Sequence, residues 1–325
     1  MSDLISVIIP AYNSENTIEI AIQSILDQTY SNLELIICDD GSQDRTLELI
    51  KSFKDDRIKI LLNEHNLGNL LTTNKLLESC QGDFIALQDA DDYSSKDRLE
   101  KQISKIKEKN VDLVSSSVGL VFKNRVMRVI RNPEYPLNFM NRIQVPIIWG
   151  ACLFKKEIYK NIGGFDLVFN RIGAADYNWL QRASINYNFY NIQEVLYFYR
   201  QHGSSFTKSS IEINTNKLYS EEIAYDIYLS LIGRGSYDFD FSREIFKERS
   251  VYYESYHRKD NKKFLGLLYN RLIFDNLSYF IYAKEIFSIN TSLIHKFKYL
   301  IYGLIVSVFG MLFVEKLKEM LRKDK

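Results

Sequence analysis

Short apolar segments alternate with amphipathic segments through the first 90 residues of this 325-residue chain. The apolar segments are rich in Ile and Leu, and they predict four strands that are buried on both faces. They cover residues 5–9, 33–38, 58–62 and 84–87. Between them, apolar residues recur at helical spacing in 18–26, 46–53 and 70–79. This alternation predicts an α/β fold in which helical crossovers join a mostly parallel sheet.

Three carboxylates, Asp89, Asp91 and Asp92, directly follow the fourth predicted strand. Side chains two residues apart on an extended segment share a face, and open α/β sheets bind ligands at the carboxyl ends of their strands. Carboxylate oxygens suit Mg²⁺ or Mn²⁺ carrying a phosphorylated substrate. An acidic turn that caps the next helix has the same sequence, so this pattern alone leaves both interpretations open.

Composition and charge exclude several classes of protein. The chain is 46% hydrophobic and 26% charged, which is typical of a folded soluble protein. Its net charge is only +1, because residues 257–325 carry 13 Lys or Arg against six Asp or Glu while residues 1–256 are acidic overall. We therefore expect no nucleic-acid partner, since such proteins present a broad basic face. An early strand followed by G-x-G-x-x-G is also missing, which argues against a dinucleotide oxidoreductase.

The cysteines and the N-terminal residues bear on the compartment. Cys38, Cys80 and Cys152 are far apart and odd in number, so neither a C-x-x-C metal site nor a disulfide framework is indicated. The sequence shows no basic segment followed by a longer apolar segment at its start, as a signal peptide would. These features predict a cytoplasmic protein.

Seven short motifs recur in the order and spacing of family 2 glycosyltransferases of the GT-A fold, which the chain resembles over residues 4–207. They are P-A-Y-N at 10–13, D-D-G-S-Q-D at 39–44, N-L-G at 66–68 followed by Asn74, Q-D-A-D-D at 88–92, G-G-F-D at 163–166, A-D-Y-N-W-L-Q-R at 175–182 and Y-R-Q-H at 199–202. The resemblance implies a GT-A catalytic domain at 1–210. Beyond it, the residues themselves predict a helical C-terminal region at 211–325. It also implies inverting transfer of a sugar from a nucleotide sugar, usually UDP-linked, with Mn²⁺ or Mg²⁺.

The resemblance assigns the nucleotide-sugar site to several of these motifs. It implies that the turn after the first strand contacts uracil, that Asp39 accepts hydrogen bonds from uracil or ribose, and that Arg200 neutralises the diphosphate. The residues implied to bind the nucleotide sugar are Pro10, Ala11, Tyr12, Asn13, Asp39, Asn66, Asp89 and Arg200.

The metal and the catalytic base are implied in the same way. Asp91 would bind the metal, Asp89 the ribose or the metal, and His202 the metal or a phosphate, although a lone loop histidine can also be a plain surface residue. Asp176 matches the aspartate credited with the base role. Here Ala175 replaces the glutamate that precedes it in the family, and Asp176 could instead cap its helix.

The acceptor class follows less directly. Processive polysaccharide synthases of this superfamily carry Q-x-x-R-W after the base, and Gln181-Arg182-Ala183 breaks that pattern. Transfer of a single sugar to a lipid-linked or surface-polysaccharide acceptor is therefore favoured. The alternatives are a relative of the processive synthases, and a non-catalytic nucleotide-sugar-binding protein, which Ala175 leaves open.

The C-terminal tail predicts contact with a membrane. Residues 299–314 form a run of 16 without a charge. As a helix this run would extend roughly 24 Å, short of the ~30 Å hydrocarbon core. Basic residues flank it within 296–325, which favours peripheral contact with anionic lipid at the cytoplasmic face of the membrane. A buried helix docked on the catalytic domain and a true membrane span are the alternatives.

Overall fold

In the computed structural model of the protein, the described residues are 3–139, 146–201, 220–231 and 238–259. They form one nine-stranded sheet flanked by helices. The strands are β1 Ile5–Ala11, β2 Leu33–Asp39, β3 Ile58–Leu62, β4 Phe84–Leu87, β5 Tyr93–Ser94, β6 Leu113–Phe122, β7 Arg125–Ile130, β8 Leu153–Lys155 and β9 Phe189–Arg200. The α-helices are α1 Ile18–Leu26, α2 Thr46–Ser52, α3 Asn69–Ser79, α4 Arg98–Lys109, α5 Lys156–Ile162, α6 Ala175–Ser184, α7 Ser220–Leu231 and α8 Phe239–Lys259.

The sheet is mixed, with a parallel half built by the first 90 residues. Its order is β3-β2-β1-β4-β8-β6-β9-β5, and β7 pairs with β6 outside this path. Strands β3, β2, β1 and β4 are mutually parallel, and β9 runs parallel to β6. Strand β8 is antiparallel to both β4 and β6, so these two strands point the same way. The carboxyl ends of β1, β2, β4, β6 and β9 therefore lie along one edge, and the predicted GT-A type of fold is confirmed.

The apolar runs form the core because helices cover both faces of the central strands. Every residue of β2 and β4 is buried, and in β1 only Pro10 is partly exposed. Strand β3 contradicts the prediction of four strands buried on both faces, since its residues are all partly or largely exposed. It lies at the end of the sheet order, where neighbouring elements cover it less completely.

A second feature that the sequence leaves open lies at residues 149–154, whose apolar residues could form another strand. Trp149–Ala151 is instead a turn of 3₁₀-helix, closed by the Ala151 N–H to Ile148 and the Cys152 N–H to Trp149, before the short strand β8. The aromatic ring of Trp149 packs on Phe154 and Trp179, with ring centroids 6.0 and 5.0 Å away. The turn brings Gly150 to the edge where β4 ends.

The chain divides into two compact units. One comprises Met1–Gln201 and Ser220–Phe246, and the other comprises His202–Tyr219 and Lys247–Lys325. Of the second unit, only the last part of α8 belongs to the described residues. The predicted boundary at residue 210 and the tail segments 299–314 and 296–325 lie outside the description, so these assignments stay predictions. In the described ranges, no helix combines the length and apolar content needed to span a membrane.

Candidate active site

The first wall of the site is the turn after β1 together with the end of β2. Ala11 is paired with Asp39, and the backbone N–H of Asp40 donates to the Ala11 carbonyl at 2.8 Å. The buried Asp39 carboxylate accepts the Ser42 N–H through Oδ2 at 3.2 Å, while its Oδ1 has no partner. A buried acceptor without a partner is costly, so Asp39 is set to accept a bond from a ligand.

The turn at 10–13 leaves one large side chain open beside Asp39. Tyr12 is 43% exposed, whereas Ala11 is buried and Pro10 partly buried. Asn13 has a positive φ of 46°, and its side-chain oxygen accepts the Gln43 N–H at 2.9 Å. Asn13 therefore joins this turn to the turn after β2, and the two keep a fixed relation around Asp39.

Asp40 organises the neighbouring loop. Its buried carboxylate accepts the Asn63 side-chain amide at 2.7 Å and the N–H groups of Leu67 and Gly68, each at 2.9 Å. The adjacent residue Asn66 receives the Arg171 guanidinium at 3.2 Å on both its carbonyl and its side-chain oxygen. Asp40 thus shapes the loop that presents Asn66, and it does not face the site as Asp39 does.

The predicted carboxylate cluster lies directly after β4. The Tyr197 hydroxyl donates to Asp89 Oδ2 at 3.1 Å, and the same hydroxyl oxygen accepts the Asp89 N–H at 3.1 Å. Asp92 is fully buried; its Oδ1 accepts the Arg200 N–H at 2.8 Å, and its Oδ2 has no partner. Helix α4 begins only at Arg98, so the acidic residues do not occupy its first turn.

Charge in the cluster is poorly compensated. Burial, reinforced by the negative charge of Asp91, raises the pKa of Asp89 to about 6. Burial and the charges of Asp89 and Asp91 also raise the pKa of Asp92 well above its ordinary value. The fully buried Arg98 guanidinium favours the ionised form of Asp89, yet burial lowers the pKa of Arg98 itself to about 10. A bound cation would relieve the repulsion that remains.

Asp89 and Asp91 have the donor chemistry that a divalent metal requires. Across the described part of the chain, no group of three or more His, Cys, Asp or Glu side chains could hold a metal ion. Mg²⁺ and similar ions often bind through only one or two carboxylates, because substrate phosphates and water fill the other positions. Asp89 and Asp91, two carboxylates whose negative charges repel each other, fit that mode. His202 lies outside the described residues, and its predicted role stays a prediction.

Arg200 lies beside the cluster with donors available. Its guanidinium stacks on the Tyr93 ring at 5.2 Å, and Tyr93 in turn stacks on Phe198 with 4.7 Å between centroids. Its Nε and Nη2 atoms are buried without a hydrogen-bond partner. A planar cation held by stacking with two unpaired donors fits bidentate binding of a phosphate.

Asp176 is in the first turn of α6, and its Oδ1 accepts the Tyr177 N–H at 2.9 Å. Surrounding protein atoms raise the pKa of Asp176 above its ordinary value, although the side chain remains open to solvent, which moderates the effect. The negative charge of Asp176 contributes to the raised pKa of Asp89. The structure therefore brings two carboxylates that are distant in sequence into one electrostatic neighbourhood.

Arg182, the arginine of the A-D-Y-N-W-L-Q-R motif, stabilises the turn that precedes the segment leading to α6. The buried guanidinium donates to the carbonyls of Ile162 and Gly164, each at 2.5 Å. The side chain of Asn74 holds Phe165, the residue after Gly164, through two hydrogen bonds. Its oxygen accepts the Phe165 N–H at 2.7 Å, and its NH₂ group donates to the Phe165 carbonyl at 3.0 Å. These contacts fix the G-G-F-D turn and with it the start of the segment that leads to α6.

Sequence reasoning missed Tyr197, Arg98 and Gly150. A Cβ added at Gly150 would lie 2.4 Å from Asp89 Oδ2 and 2.7 Å from the Tyr197 hydroxyl, so this glycine leaves room for both groups. Arg98 donates to the Leu87 carbonyl and the Ser94 hydroxyl, each at 2.8 Å, directly beneath the cluster. An arginine at a core position of an amphipathic helix was the one available signal, since Tyr197 is one aromatic among many in β9.

Comparisons with known proteins agree with this geometry. The family model described as Glycosyl transferase family 2 matches residues 6–163. The putative glycosyltransferase EpsE of Bacillus subtilis is 34% identical over 211 residues, which are 63% of this chain and 76% of EpsE. The Escherichia coli protein WfaP, named a UDP-Glc:alpha-D-GlcNAc-diphosphoundecaprenol beta-1,3-glucosyltransferase, is 31% identical over 211 residues, 65% of this chain and 82% of WfaP.

Solved structures give the same answer for the fold. The crystal structure of S. aureus TarS 1-349 in complex with UDP matches with a TM-score of 0.58 at 17% identity. The match covers 99% of this chain and 92% of that one. The family model and the sequence relatives, which are named glycosyltransferases, identify this chain as a glycosyltransferase that belongs to glycosyl transferase family 2.

Proposed function

We propose that the enzyme transfers a single sugar, with inversion, from a UDP-sugar to a hydroxyl of a lipid-linked or surface-polysaccharide acceptor. The observation that carries the proposal is the placement of Asp39 and Asp89 at the carboxyl ends of β2 and β4, on one edge of the sheet, with Asp176 near enough to Asp89 for its charge to raise the pKa of Asp89. Asp89 lies at the end of β4, where the donor diphosphate is expected, and Asp176 lies at the start of α6. A donor-binding group and a candidate base therefore border the same space.

The nucleoside would bind at the first wall. The unpartnered Oδ1 of Asp39 would accept a hydrogen bond from uracil or ribose, and the exposed ring of Tyr12 would lie against the base. The loop fixed by Asp40 presents Asn66 on the same side. These groups select a planar base with N–H donors, which uracil provides.

The diphosphate would lie between Asp91, Asp89 and Arg200. A divalent cation held by Asp91 and Asp89 would supply positive charge to the leaving nucleoside diphosphate. Arg200 would add two N–H donors from its unpartnered nitrogens. The buried Arg98 holds the chain beneath Asp89, so the carboxylate has a fixed position when the donor binds.

Asp176 would act as the general base. Its raised pKa makes it a stronger proton acceptor than an ordinary aspartate. The acceptor hydroxyl would lose its proton to Asp176 while attacking the anomeric carbon from the side opposite the diphosphate. Ala175 contributes no carboxylate beside the base, so Asp176 would serve this role alone.

The acceptor proposal draws on the relatives. WfaP is named for glucosyl transfer to a GlcNAc-diphosphoundecaprenol, and this chain covers 82% of it. We therefore propose UDP-glucose and an N-acetylglucosamine diphospholipid as the first donor and acceptor to test. Use of a lipid-linked acceptor also motivates the proposed peripheral membrane contact through 296–325 at the cytoplasmic face.

The test is to incubate the purified protein with radiolabelled UDP-sugars and a synthetic N-acetylglucosamine diphospholipid, with Mn²⁺, with Mg²⁺ or with a chelator. We expect metal-dependent addition of one sugar, detected by mass spectrometry of the lipid product. A ladder of longer products would instead favour a processive synthase. Binding of UDP without any transfer across the donor panel and a range of acceptors would contradict the catalytic proposal.

A further inference from the structure

The hairpin formed by β6 and β7 carries an unusual combination of exposed side chains. Phe122, Val126 and Met127 are 47, 49 and 67% exposed, although they are large and apolar. They alternate with the cations Lys123, Arg125, Arg128 and Arg131, all of which are exposed. Residues 113–133 contain no Asp or Glu at all.

The pairing register of β6 with β7 and β9 places several of these exposed side chains on one face of the sheet. Phe122 pairs with Arg125 and Leu120 pairs with Arg128, and directly paired residues share a face of the sheet. Leu120 is also paired with Tyr199 of β9, and Val118 with Tyr197. Alternation along β6 puts Phe122, Leu120 and Val118 on the face of the Tyr197 side chain, whose hydroxyl contacts Asp89. The register shift between Leu120 and Val121 brings both Arg125 and Arg128 onto that face as well.

The hairpin is also joined to the site close to its turn at residues 123–124. The Gln201 N–H donates to the Val121 carbonyl at 2.8 Å, directly after Arg200, the residue whose N–H binds Asp92. Strand β6 runs parallel to β9, so the hairpin projects from the edge of the sheet where the donor site lies. A surface bound by this hairpin would therefore be held beside the catalytic groups.

Simple protection of an edge strand does not explain the pattern. Charged residues on an edge strand do discourage pairing with other chains. That purpose needs neither charges of a single sign nor exposed Phe and Met. Among the described residues, none of the four cations is in an ion pair with an acid, and the Lys123 ammonium lies over the Phe122 ring at 5.5 Å from its centroid.

We propose that the β6–β7 hairpin is a membrane-docking element, and that its occupant is the anionic surface of a lipid bilayer. The cations would bind lipid phosphates, while Phe122 and Met127 enter the interface between headgroups and acyl chains. A soluble polyanion would complement the cations but leave the apolar side chains in water, so the lipid surface is the better fit. The inference rests on the proposed lipid-linked acceptor, whose diphosphate the docked hairpin would hold near Asp176.

A site-specific fluorophore tests the contact in the full-length protein. The three native cysteines are all buried, so Met127→Cys adds the thiol that a polarity-sensitive dye will label. Vesicles containing phosphatidylglycerol should increase and blue-shift the fluorescence, and vesicles of phosphatidylcholine alone should not. The matched control is the same label at Ile20→Cys on α1, where the native side chain is 51% exposed and no response is expected.

Charge variants provide a second measurement. Each basic residue near an anionic surface strengthens binding by roughly fivefold, so Arg125→Gln combined with Arg128→Gln should weaken vesicle binding by about 30-fold. Lys51→Gln with Lys54→Gln removes two exposed charges around the end of α2, next to the edge strand β3, and serves as the control with little expected effect. Circular dichroism would verify that both double variants are folded.

Three results would overturn the proposal. The fluorescence of the label at position 127 could stay unchanged while the protein sediments with vesicles, which would assign the membrane contact to another segment. It could respond equally to soluble polyphosphate, which would indicate a polyanion site. It could respond to protein concentration without lipid, which would indicate self-association through β7. The assay contains no donor or acceptor, so its failure is distinct from failure of the transferase proposal.

Discussion

Replacing Gly150 with alanine tests whether the position of Asp89 controls donor binding. The new Cβ would lie 2.4 Å from Asp89 Oδ2, and ordinary van der Waals contact begins near 3.4 Å. The carboxylate must therefore withdraw by about 1 Å. It cannot do so freely, because the Tyr197 hydroxyl that binds it is also too close to the new methyl group, at 2.7 Å.

The expected loss follows from that displacement. A misplacement of ~1 Å at a reacting centre can cost ~100-fold in rate, while overpacking a buried position costs ~1 to 3 kcal/mol of stability. Gly150→Ala should therefore lower kcat/KM for sugar transfer by about two orders of magnitude and weaken Mn²⁺-dependent UDP binding. Calorimetry measures UDP binding, a radiolabel transfer assay measures kcat/KM, and thermal unfolding measures the loss of stability.

Gly119→Ala is the matched control. Its added Cβ would lie 3.2 Å from side chains of Phe198 and Val195, so it also crowds partly buried strand residues but does not approach Asp89. We expect a similar or smaller loss of stability with transfer and UDP affinity nearly intact. If Gly150→Ala keeps native UDP affinity and kcat/KM, Asp89 does not need the position seen here and the reasoning is wrong.

Four further variants separate the roles of the acidic residues. Asp91→Asn should weaken UDP binding by ~10 to 100-fold with Mn²⁺ present and leave metal-free binding nearly unchanged; equal loss in both conditions by calorimetry would remove Asp91 from the metal site. Asp40→Ala should cost about 3 kcal/mol in chemical denaturation, because three hydrogen-bond donors lose their acceptor, whereas Asp39→Ala should cost far less stability and mainly reduce UDP affinity. The raised pKa of Asp92 means that folding favours its protonated form. The contribution of Asp92 to the stability of the folded protein therefore falls as pH rises above the ordinary pKa of 3.8. The melting temperature of metal-free Asp92→Asn should therefore exceed that of the native protein increasingly from pH 4 to pH 7, and a constant difference would refute this.

The parallel half of the fold could be predicted because local pattern and tertiary burial agree there. The runs at β1, β2 and β4 are mostly apolar, interrupted only by Ser6 and Glu34, and they are almost entirely buried in the structure. Strand β3 has the same kind of run, yet its place at the edge depends on strand order, which no local pattern encodes. The turn at Trp149–Ala151 was missed for a related reason, since its conformation depends on packing against aromatic residues distant in sequence.

The acidic groups of the site could be found from sequence because each follows a strand or begins a helix in a recognisable motif. Their separate roles could not. Asp39 and Asp40 are adjacent, and only hydrogen-bond partners show that Asp40 is saturated while Asp39 keeps a free oxygen. The basic hairpin was hidden in the same way, because the negative balance of residues 1–256 conceals a local group of four cations.

The Asp176→Asn variant tests the central claim most directly. Asparagine keeps the size of the side chain and an oxygen that can accept the Tyr177 N–H, but it cannot take a proton. A positioned base contributes ~10² to 10⁴ in rate, whereas a helix cap contributes only ~1 kcal/mol of stability. We predict that sugar transfer falls at least about 100-fold while UDP affinity and melting temperature stay near native values. Near-native turnover in this variant would contradict the account, because the base would then lie elsewhere.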